Sequence, residues 1–462
     1  MSRVLSFVLG VLLTPSLLPA AEFNANFNGV ADRLWIGPDF WANRLHDWQV
    51  SDGRVECIAE QPRLKMRTLQ LLTHRLADEP GSFEITVKIG LLNNKVSNAF
   101  ENSIAGILIG VGGRGQDYRS AAIIHGASGK GGGALFGVNA RGELVLQNRE
   151  QPGPAQVLGK IDGDTNLKEG LILQVGGRPD GDGTYFVNFR ATSGDGSTVL
   201  ADWFWQEVNP VETFGAEIQG GIGLVSHPGS QQKGKFGGRW WFDDLKIAGD
   251  QIESHPERGL GPIVSTMYTV SRGTMKMTAQ LMPIAADAPH TAALQVEKAD
   301  GSWHTVDEAE VEEPSYVVLF RDDAWDASIE DTYRVVYPAG DEEAAHYHGT
   351  IRKDPVDKEK IVVAGFTGNH NNAHGFAREG YNFAQNIWFP HAEITRAVAV
   401  HKPDLLFFSG DQVYEGDSPT FADTNPANIK LDYLYKWYLW CWAYRDLTKD
   451  IPTICIPDDH DV

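Results

Sequence analysis

The stretch Phe83-Glu-Ile-Thr-Val-Lys-Ile89 alternates apolar side chains with charged or hydroxyl-bearing ones. A period of two is typical of a β-strand that buries one face and exposes the other. Comparable short apolar runs follow at residues 104–111, 121–124, 143–146, 171–175, 185–190 and 222–225. Glycine-rich turns separate these runs, and no long helical period interrupts them. We therefore predict a β-sandwich, with a jelly-roll-like arrangement of strands, over residues 22–250.

Length and charge limit the possible functions. The chain has 462 residues, which predicts a multidomain protein rather than a single core. Its 40 basic and 61 acidic residues give a formal net charge of -21, which opposes binding to phosphate backbones. We expect no nucleic-acid partner. A small phosphorylated substrate stays compatible with this charge, because bound cations can invert the field of an acidic pocket.

Residues 1–21 have the pattern of a secretory signal peptide. Arg3 precedes an apolar run from Val4 to Leu13, and a small-residue stretch ends at Ala21. No later stretch approaches the roughly 20 apolar residues that a membrane-spanning helix needs. We expect an exported protein, periplasmic or extracellular, with no integral membrane segment in the mature chain.

The end of the predicted sandwich resembles a known fold. The segment Gly238-Arg-Trp-Trp-Phe-Asp-Asp-Leu-Lys-Ile-Ala-Gly249 is similar to the last strand of laminin-G and concanavalin-like sandwiches. The resemblance implies a glycan or another extracellular polymer as a possible partner. Trp35, Trp41 and Trp48 either stack on sugar rings or fill the core, and large aromatic side chains more often do the latter.

A second β module is predicted over residues 262–353, after a linker rich in proline and glycine. Asp300-Gly301 is a strong hairpin signal between two short apolar runs. The segment Asp331-Thr-Tyr-Arg-Val-Val-Tyr337 resembles the tyrosine corner of immunoglobulin-like and fibronectin-like domains, with Tyr333 as the corner residue. We expect this module to position the domain that follows.

The pattern changes over residues 358–462. Continuous apolar runs at 361–364, 404–410 and 451–457 predict strands that are buried on both faces. Helical spacing at 387–400 and 431–447 separates these runs. Strands alternating with helices predict an α/β domain with a parallel sheet.

The most polar clusters of this region follow its three predicted strands, and ligands of open parallel sheets bind at the carboxyl ends of the strands. Such clustered acids would repel one another without a cation, so we predict a metal site at this edge. The candidate residues that follow the first, second and third strand are, respectively, Asn369 and His370, then Asp411 and Tyr414, then Asp458, Asp459 and His460.

Two of these clusters resemble a known family. Ser409-Gly-Asp-Gln-Val-Tyr-Glu415 and Pro457-Asp-Asp-His-Asp461 are similar to paired motifs of the calcineurin-like metallophosphoesterases, most closely of the alkaline phosphatase D family. The resemblance covers roughly the last hundred residues. It implies two divalent or trivalent metal ions (Fe, Ca, Zn or Mn) that activate a water for attack on a phosphate mono- or diester.

The resemblance also implies roles for individual residues. Asp411 would bridge the two metals, and Tyr414 matches a tyrosine that binds a ferric ion, unless it only packs beside the sheet. Asp459 takes the position of a metal-binding asparagine, with Asp458 as the alternative. His460 matches the histidine that stabilises or protonates the leaving group.

The chain departs from the family pattern in two places. The first motif lacks the usual aspartate or cysteine, so that Asn369 or His370 would have to substitute as a ligand. The histidine motifs expected after the third strand do not occur. We therefore expect residues 358–462 to be the first part of such a domain and inactive alone. The alternative is a secreted glycan- or polymer-binding protein with a degenerate phosphatase-like segment.

Overall fold

The computed structural model describes residues 21–59, 66–92, 102–161, 166–229, 237–341, 343–373, 376 and 379–461. The predicted signal peptide lies outside these residues, apart from Ala21, which begins the first strand. No helix within the described ranges combines the length and the apolar character needed to cross a membrane.

The first half of the chain is a sandwich of two antiparallel eight-stranded sheets, as the alternation of residues 83–89 predicts. The first sheet has the order β14-β13-β12-β6-β16-β4-β3, with β1 beside β16, and the second has the order β11-β10-β9-β7-β15-β5-β17, with β2 beside β5. In chain order the strands of this half are β1 (Ala21–Ala25), β2 (Phe40–Asn43), β3 (Trp48–Ser51), β4 (Arg54–Cys57), β5 (Arg67–Leu76), β6 (Phe83–Leu91), β7 (Ile104–Val111), β8 (Gly129–Lys130), β9 (Ala134–Asn139), β10 (Glu143–Asn148), β11 (Gln156–Lys160), β12 (Leu171–Gly181), β13 (Thr184–Ser193), β14 (Val199–Val208), β15 (Gly220–His227), β16 (Trp240–Gly249) and β17 (Ile252–Ser254).

Side chains of β6 illustrate why this segment is a half-buried strand. Phe83, Ile85, Val87 and Ile89 point into the core between the sheets and are almost fully buried, whereas Glu84 is exposed. Burial of one such face on each sheet supplies the hydrophobic core. The second sheet extends to β17, which ends four residues beyond the predicted sandwich boundary at residue 250.

The predicted strand at residues 121–124 is wrong. The structure has a short helix there, α1 (Tyr118–Ala122), and Asp117 caps it by accepting a hydrogen bond from the Arg119 amide. A side-chain oxygen at this position satisfies an amide that the first helical turn leaves unpaired. An apolar run of only four residues is compatible both with a short strand and with one turn of a helix. A second short helix in this half is α2 (Pro210–Phe214).

Seven antiparallel strands form one sheet in the next module, with the order β18-β19-β22-β21-β20-β23-β24. The predicted hairpin is confirmed, because the strands on either side of Gly301 pair antiparallel. The Tyr333 hydroxyl bonds with the Thr266 hydroxyl at 2.5 Å and donates to the Lys449 carbonyl at 3.0 Å, which ties this module to the C-terminal region. The strands are β18 (Ile263–Ser271), β19 (Thr274–Leu281), β20 (Thr291–Glu297), β21 (Trp303–Glu312), β22 (Val317–Asp322), β23 (Asp331–Tyr337) and β24 (Ala345–Ile351).

The C-terminal region contains the predicted parallel pairing, in a sheet of order β25-β27-β28. Its elements are β25 (Val363–Phe366), β26 (Tyr381–Asn382), α3 (Phe383–Asn386), α4 (Ala392–Val400), β27 (Leu405–Phe408), α5 (Ile429–Thr448) and β28 (Thr453–Cys455). The prediction that these strands are buried on both faces is wrong. Leu406 and Phe408 pack in the apolar cluster that contains α5, but Val363 and Ile454, on the strands to either side, are exposed.

The C-terminal region packs on the outer face of the second sandwich sheet. Trp41 is buried between the rings of Tyr435 and Trp442 of α5, with ring centroids 5.5 and 5.1 Å away. Trp48 is fully buried as well, so neither of these tryptophans is available to a sugar. Trp35 is only partly buried, beside the same apolar cluster.

Buried charges join the same two regions. The Arg44 guanidinium contacts Asp47 at 3.0 Å within the sandwich, and Asp423 at 2.9 Å and Asp432 at 3.3 Å in the C-terminal region. Burial alone would lower the pKa of Arg44, but the three carboxylates outweigh it and raise the pKa. The pairing compensates charges that would be costly if buried alone.

Candidate metal site at the edge of the parallel sheet

The loops that follow the three parallel strands are hydrogen-bonded to one another. The Asn369 amide donates to the Asp411 carbonyl at 2.9 Å, which joins the loops after β25 and β27. The Asp411 amide donates to Asp461 Oδ2 at 2.6 Å, which joins the loops after β27 and β28. The parallel pairing of the strands therefore brings the polar clusters to one edge, as expected for this type of sheet.

Three of the candidate residues form a compact group. Asp411, Asp459 and His460 each offer one ligand atom, and these atoms all lie within 4.8 Å of one another. Asp411 Oδ1 is buried and has no hydrogen-bond partner within the described part of the chain. Two carboxylates and an imidazole are a suitable donor set for a borderline or hard cation, and a buried carboxylate oxygen without a partner needs compensation. The residues present thus fit a metal ion.

The backbone around Asp411 is held in an uncommon conformation. Asp411 has φ +55° and Gly410 has φ +114°, both in the left-handed region. A Cβ atom at Gly410 would lie 2.4 Å from the Asp458 Cβ. Only glycine permits this close approach, and non-glycine residues with positive φ concentrate at functional sites. This turn lets the loops after β27 and β28 pack closely against each other, beside Asp411, Asp459 and His460.

Tyr414 lies next to the same carboxylate. Its hydroxyl donates to Asp411 Oδ2 at 3.1 Å, and its ring packs against that of His370 with centroids 3.9 Å apart and planes tilted by 30°. Burial, then the hydrogen bond to Asp411 and its charge, raise the pKa of Tyr414 to about 12. The phenol is therefore protonated at neutral pH, and it holds the second oxygen of Asp411 in place.

Glu415 orients the imidazole of His460. The Nδ1 atom of His460 is 2.9 Å from Glu415 Oε2, and this hydrogen bond raises the pKa of His460. The Glu415 carbonyl in turn accepts a hydrogen bond from the Lys436 ammonium, which is paired with Asp432 at 2.9 Å. The imidazole is thereby connected to the buried charges that join α5 to the sandwich.

The remaining predicted ligands lie outside the group of three. Asp458 accepts a hydrogen bond from the Asp459 amide at 2.9 Å. Asn369 is buried, and its Oδ1 accepts a hydrogen bond from the Tyr444 hydroxyl at 3.0 Å. His370 Nε2 lies 3.9 Å from Asp417. Asn369 and His370 do line a cavity of about 320 Å³ that also contacts Asp411.

Sequence reasoning assigned no role to two residues that hold the site together. Asp461 accepts hydrogen bonds from the Asp411 and Val413 amides, and Glu415 holds His460. Their acidic character was visible among the residues after the second and third strands. Their hydrogen bonds could not be predicted from the sequence, because they connect positions 45 to 50 residues apart in the chain.

Comparisons with known proteins give likenesses of shape only. No protein-family model and no curated protein matches this sequence. Among solved structures, arcelin-5, a lectin-like defence protein from Phaseolus vulgaris, is similar at a TM-score of 0.33 and 10% identity, over 50% of this chain and 99% of that one. Winged bean acidic lectin, in complex with methyl-α-D-galactose, has a TM-score of 0.31 and 13% identity, over 51% of this chain and 100% of that one. An endo-1,3-β-glucanase from Streptomyces sioyaensis has a TM-score of 0.29 and 8% identity, over 44% of this chain and 79% of that one. At these values the likenesses support no inference about the ligand or the activity of this chain.

Proposed function

We propose that this protein takes part in the metal-dependent hydrolysis of phosphate mono- or diesters, at the site that contains Asp411, Asp459 and His460. One observation carries the proposal: carboxylate oxygens of Asp411 and Asp459 and a ring nitrogen of His460, from loops after two parallel strands, lie within 4.8 Å of one another, and Asp411 Oδ1 has no hydrogen-bond partner among the residues that the structure describes. The motif resemblance to alkaline phosphatase D relatives supports the choice of reaction.

Each residue has a role in this proposal. Asp411 and Asp459 would hold cations, which when bound would polarise a phosphoryl oxygen and lower the pKa of a water. Asp461 fixes the Asp411 backbone through the amide hydrogen bond at 2.6 Å. In this proposal His460 is the general acid and not a ligand: the hydrogen bond between its Nδ1 and Glu415 raises its pKa, so that Nε2 can donate a proton to the leaving oxygen. Tyr414, Asn369, His370 and Asp458 are further candidate ligands for a two-metal site of the family.

Hydrolysis of 4-nitrophenyl phosphate and bis(4-nitrophenyl) phosphate by the protein extended past Val462 along its coding sequence tests this proposal, with Mn²⁺, Ca²⁺, Zn²⁺ or Fe³⁺ added in turn. We expect metal-dependent release of 4-nitrophenol that falls about 100-fold in Asp411→Asn, because the amide removes the negative charge that holds the cation. Asp417→Asn is the matched control, since Asp417 is an exposed acid of the same loop. Equal rates in Asp411→Asn and the native protein, or no metal-dependent release, would contradict the proposal.

A second candidate function is the binding of a glycan or another extracellular polymer by the sandwich, with the C-terminal region in a non-catalytic role. The outer face of the first sheet carries exposed aromatic side chains that the core does not use. Phe204 is 52% exposed, its ring lies 6.0 Å from that of Phe186, and Arg178 lies 5.1 Å above Phe186. Flat apolar rings flanked by a hydrogen-bond donor are suited to the faces of sugar rings.

Binding of a soluble β-1,3-glucan to the native protein and to Phe204→Ser separates the two functions. The binding function predicts about a tenfold loss of affinity in Phe204→Ser. Val199→Ser removes a similarly exposed apolar side chain from the same strand and should leave affinity unchanged. No binding by the native protein would eliminate this candidate and leave the phosphoesterase proposal intact. Both functions share the expectation of export, which detection of the protein in the periplasmic or secreted fraction would test.

A further inference from the structure

A polar cavity of about 550 Å³ lies on the outer face of the second sandwich sheet, away from the candidate metal site. Leu144 and Leu146 of β10 point into the sandwich core, so the alternate residues Val145 and Gln147 face outward and line this cavity. Its volume falls within the range of small-molecule sites in proteins. Its other contributors include Asn139, Arg141, Arg149 and Glu379.

Arg149 is a buried cation without a carboxylate partner. Its side chain lines the cavity, only 3% of the residue is exposed, and the structure shows no described acid within salt-bridge distance. One guanidinium nitrogen donates to the Gly126 carbonyl at 3.0 Å, whereas the buried Nε has no hydrogen-bond partner. Burial lowers the pKa of Arg149 to about 10, against the opposing charge of Glu379, so the group is still positive at neutral pH.

Gln147 adds an acceptor to the same wall. Only 8% of it is exposed, its amide nitrogen donates to the Gly153 carbonyl at 3.1 Å, and its Oε1 has no donor within the described part of the chain. A buried donor and a buried acceptor that both lack partners are rare in folded proteins and are costly unless a ligand or water satisfies them. The cavity is therefore prepared for a molecule that carries both an anionic acceptor and hydroxyl donors.

The neighbouring charges do not supply that anion. Glu379 accepts hydrogen bonds from the amide and the hydroxyl of Ser128, and Arg141 is already paired with Glu143 at 2.9 Å. A chain with a net charge of -21 thus keeps one buried guanidinium available at a pocket that also has apolar walls, such as Val145 and Val157. A carboxylate can form charge-assisted hydrogen bonds with a guanidinium, which are stronger than those of a neutral hydroxyl.

We propose that this cavity binds an acidic saccharide, with the carboxylate of a uronic acid unit on Arg149 and a sugar hydroxyl donating to Gln147 Oε1. The site is separate from the aromatic surface around Phe204 and from the metal site, so it does not depend on either proposed function.

Isothermal titration with a trigalacturonate and with the matching neutral galactose trisaccharide tests the proposal. The native protein should bind the acidic oligosaccharide at least about tenfold more tightly than the neutral one, because a charge-assisted hydrogen bond is lost with the latter. Affinity for the acid should fall by a similar factor in Arg149→Met. Arg321→Met, an exposed position of the second β module, should leave it unchanged.

Gln147→Glu provides a second variant that nearly preserves shape, in case Arg149→Met does not fold. The added carboxylate should compensate Arg149 and repel the ligand, and weaken binding of the acid about tenfold or more. Equal affinity of the native protein for the acidic and neutral oligosaccharides, or undiminished binding of the acid in Gln147→Glu, would overturn the proposal. Activity on nitrophenyl phosphates is not expected to change in any of these variants.

Discussion

Replacing Arg44 with methionine should destabilise the protein strongly, because this side chain links the sandwich to the C-terminal region. Its guanidinium lies 2.9 Å from Asp423 and 3.3 Å from Asp432, and only 4%, 1% and 5% of the respective side chains are exposed. Methionine preserves much of the packing volume but leaves both aspartates without this partner. Removing one partner of a buried ion pair costs about 3–5 kcal/mol.

Urea denaturation followed by tryptophan fluorescence measures this cost, since Trp41 and Trp442 pack across the same interface. Arg321→Met is the control, because Arg321 pairs with Asp323 at 2.7 Å but both side chains are more than half exposed. We expect the control to lose at most about 1 kcal/mol. In the double variant Arg44→Met/Asp423→Asn the two losses should not add, because each single change disrupts the same contact. A loss in Arg44→Met no larger than that of the control would refute the role given to this network.

Three further predictions concern the turn at the metal site, the pH dependence of stability and the contact between modules. Gly410→Ala should weaken binding of Mn²⁺ at least about tenfold, because the added Cβ would lie 2.4 Å from Asp458 Cβ. Gly416→Ala is the control and should bind Mn²⁺ like the native protein, because its Cβ would have open space. Equal Mn²⁺ affinities of Gly410→Ala and the native protein, measured by titration, would argue against the close turn. His125 is fully buried, and burial lowers its pKa to about 3, so the fold keeps its full stability above the unfolded pKa of about 6.5 and loses stability as the pH falls toward 3. Between pH 7.5 and 5, the free energy of unfolding measured with urea should therefore fall by about 2 kcal/mol more in the native protein than in His125→Phe. Identical pH profiles of the two proteins would contradict this. Tyr333→Phe should cost about 1–2 kcal/mol in the same assay, because it removes the hydroxyl that contacts Thr266 and Lys449; an unchanged unfolding midpoint would show that these contacts do not stabilise the junction.

Local sequence patterns predicted those parts of the fold that depend on local periodicity. The alternation in residues 83–89 identified a sandwich strand, and the continuous runs near residues 363, 405 and 453 identified three parallel strands. Where a short run lacks alternation, the pattern is ambiguous. Residues 121–124 were predicted as a strand, and the structure instead has a short helix that Asp117 caps.

The candidate site was predicted in part, for a topological reason. Parallel strands end at one edge, so the acids after β27 and β28 were expected to meet, and the structure places Asp411, Asp459 and His460 together. Whether this group binds metal or catalyses hydrolysis stays a prediction. Contacts that depend on packing between distant segments had no local signal. Arg44 and Asp423 are 379 positions apart, and the buried donor and acceptor on Arg149 and Gln147 are recognisable only from their surroundings.

Binding of Mn²⁺ to the native protein and to the double variant Asp411→Asn/Asp459→Asn, followed by electron paramagnetic resonance of the free ion, tests the metal site most directly. The site predicts saturable binding by the native protein and at least about a tenfold weaker affinity in the double variant, because both carboxylate charges are lost. Asp417→Asn should bind like the native protein. If the native protein and the double variant deplete free Mn²⁺ equally, Asp411 and Asp459 do not form a cation site and the phosphoesterase proposal is wrong.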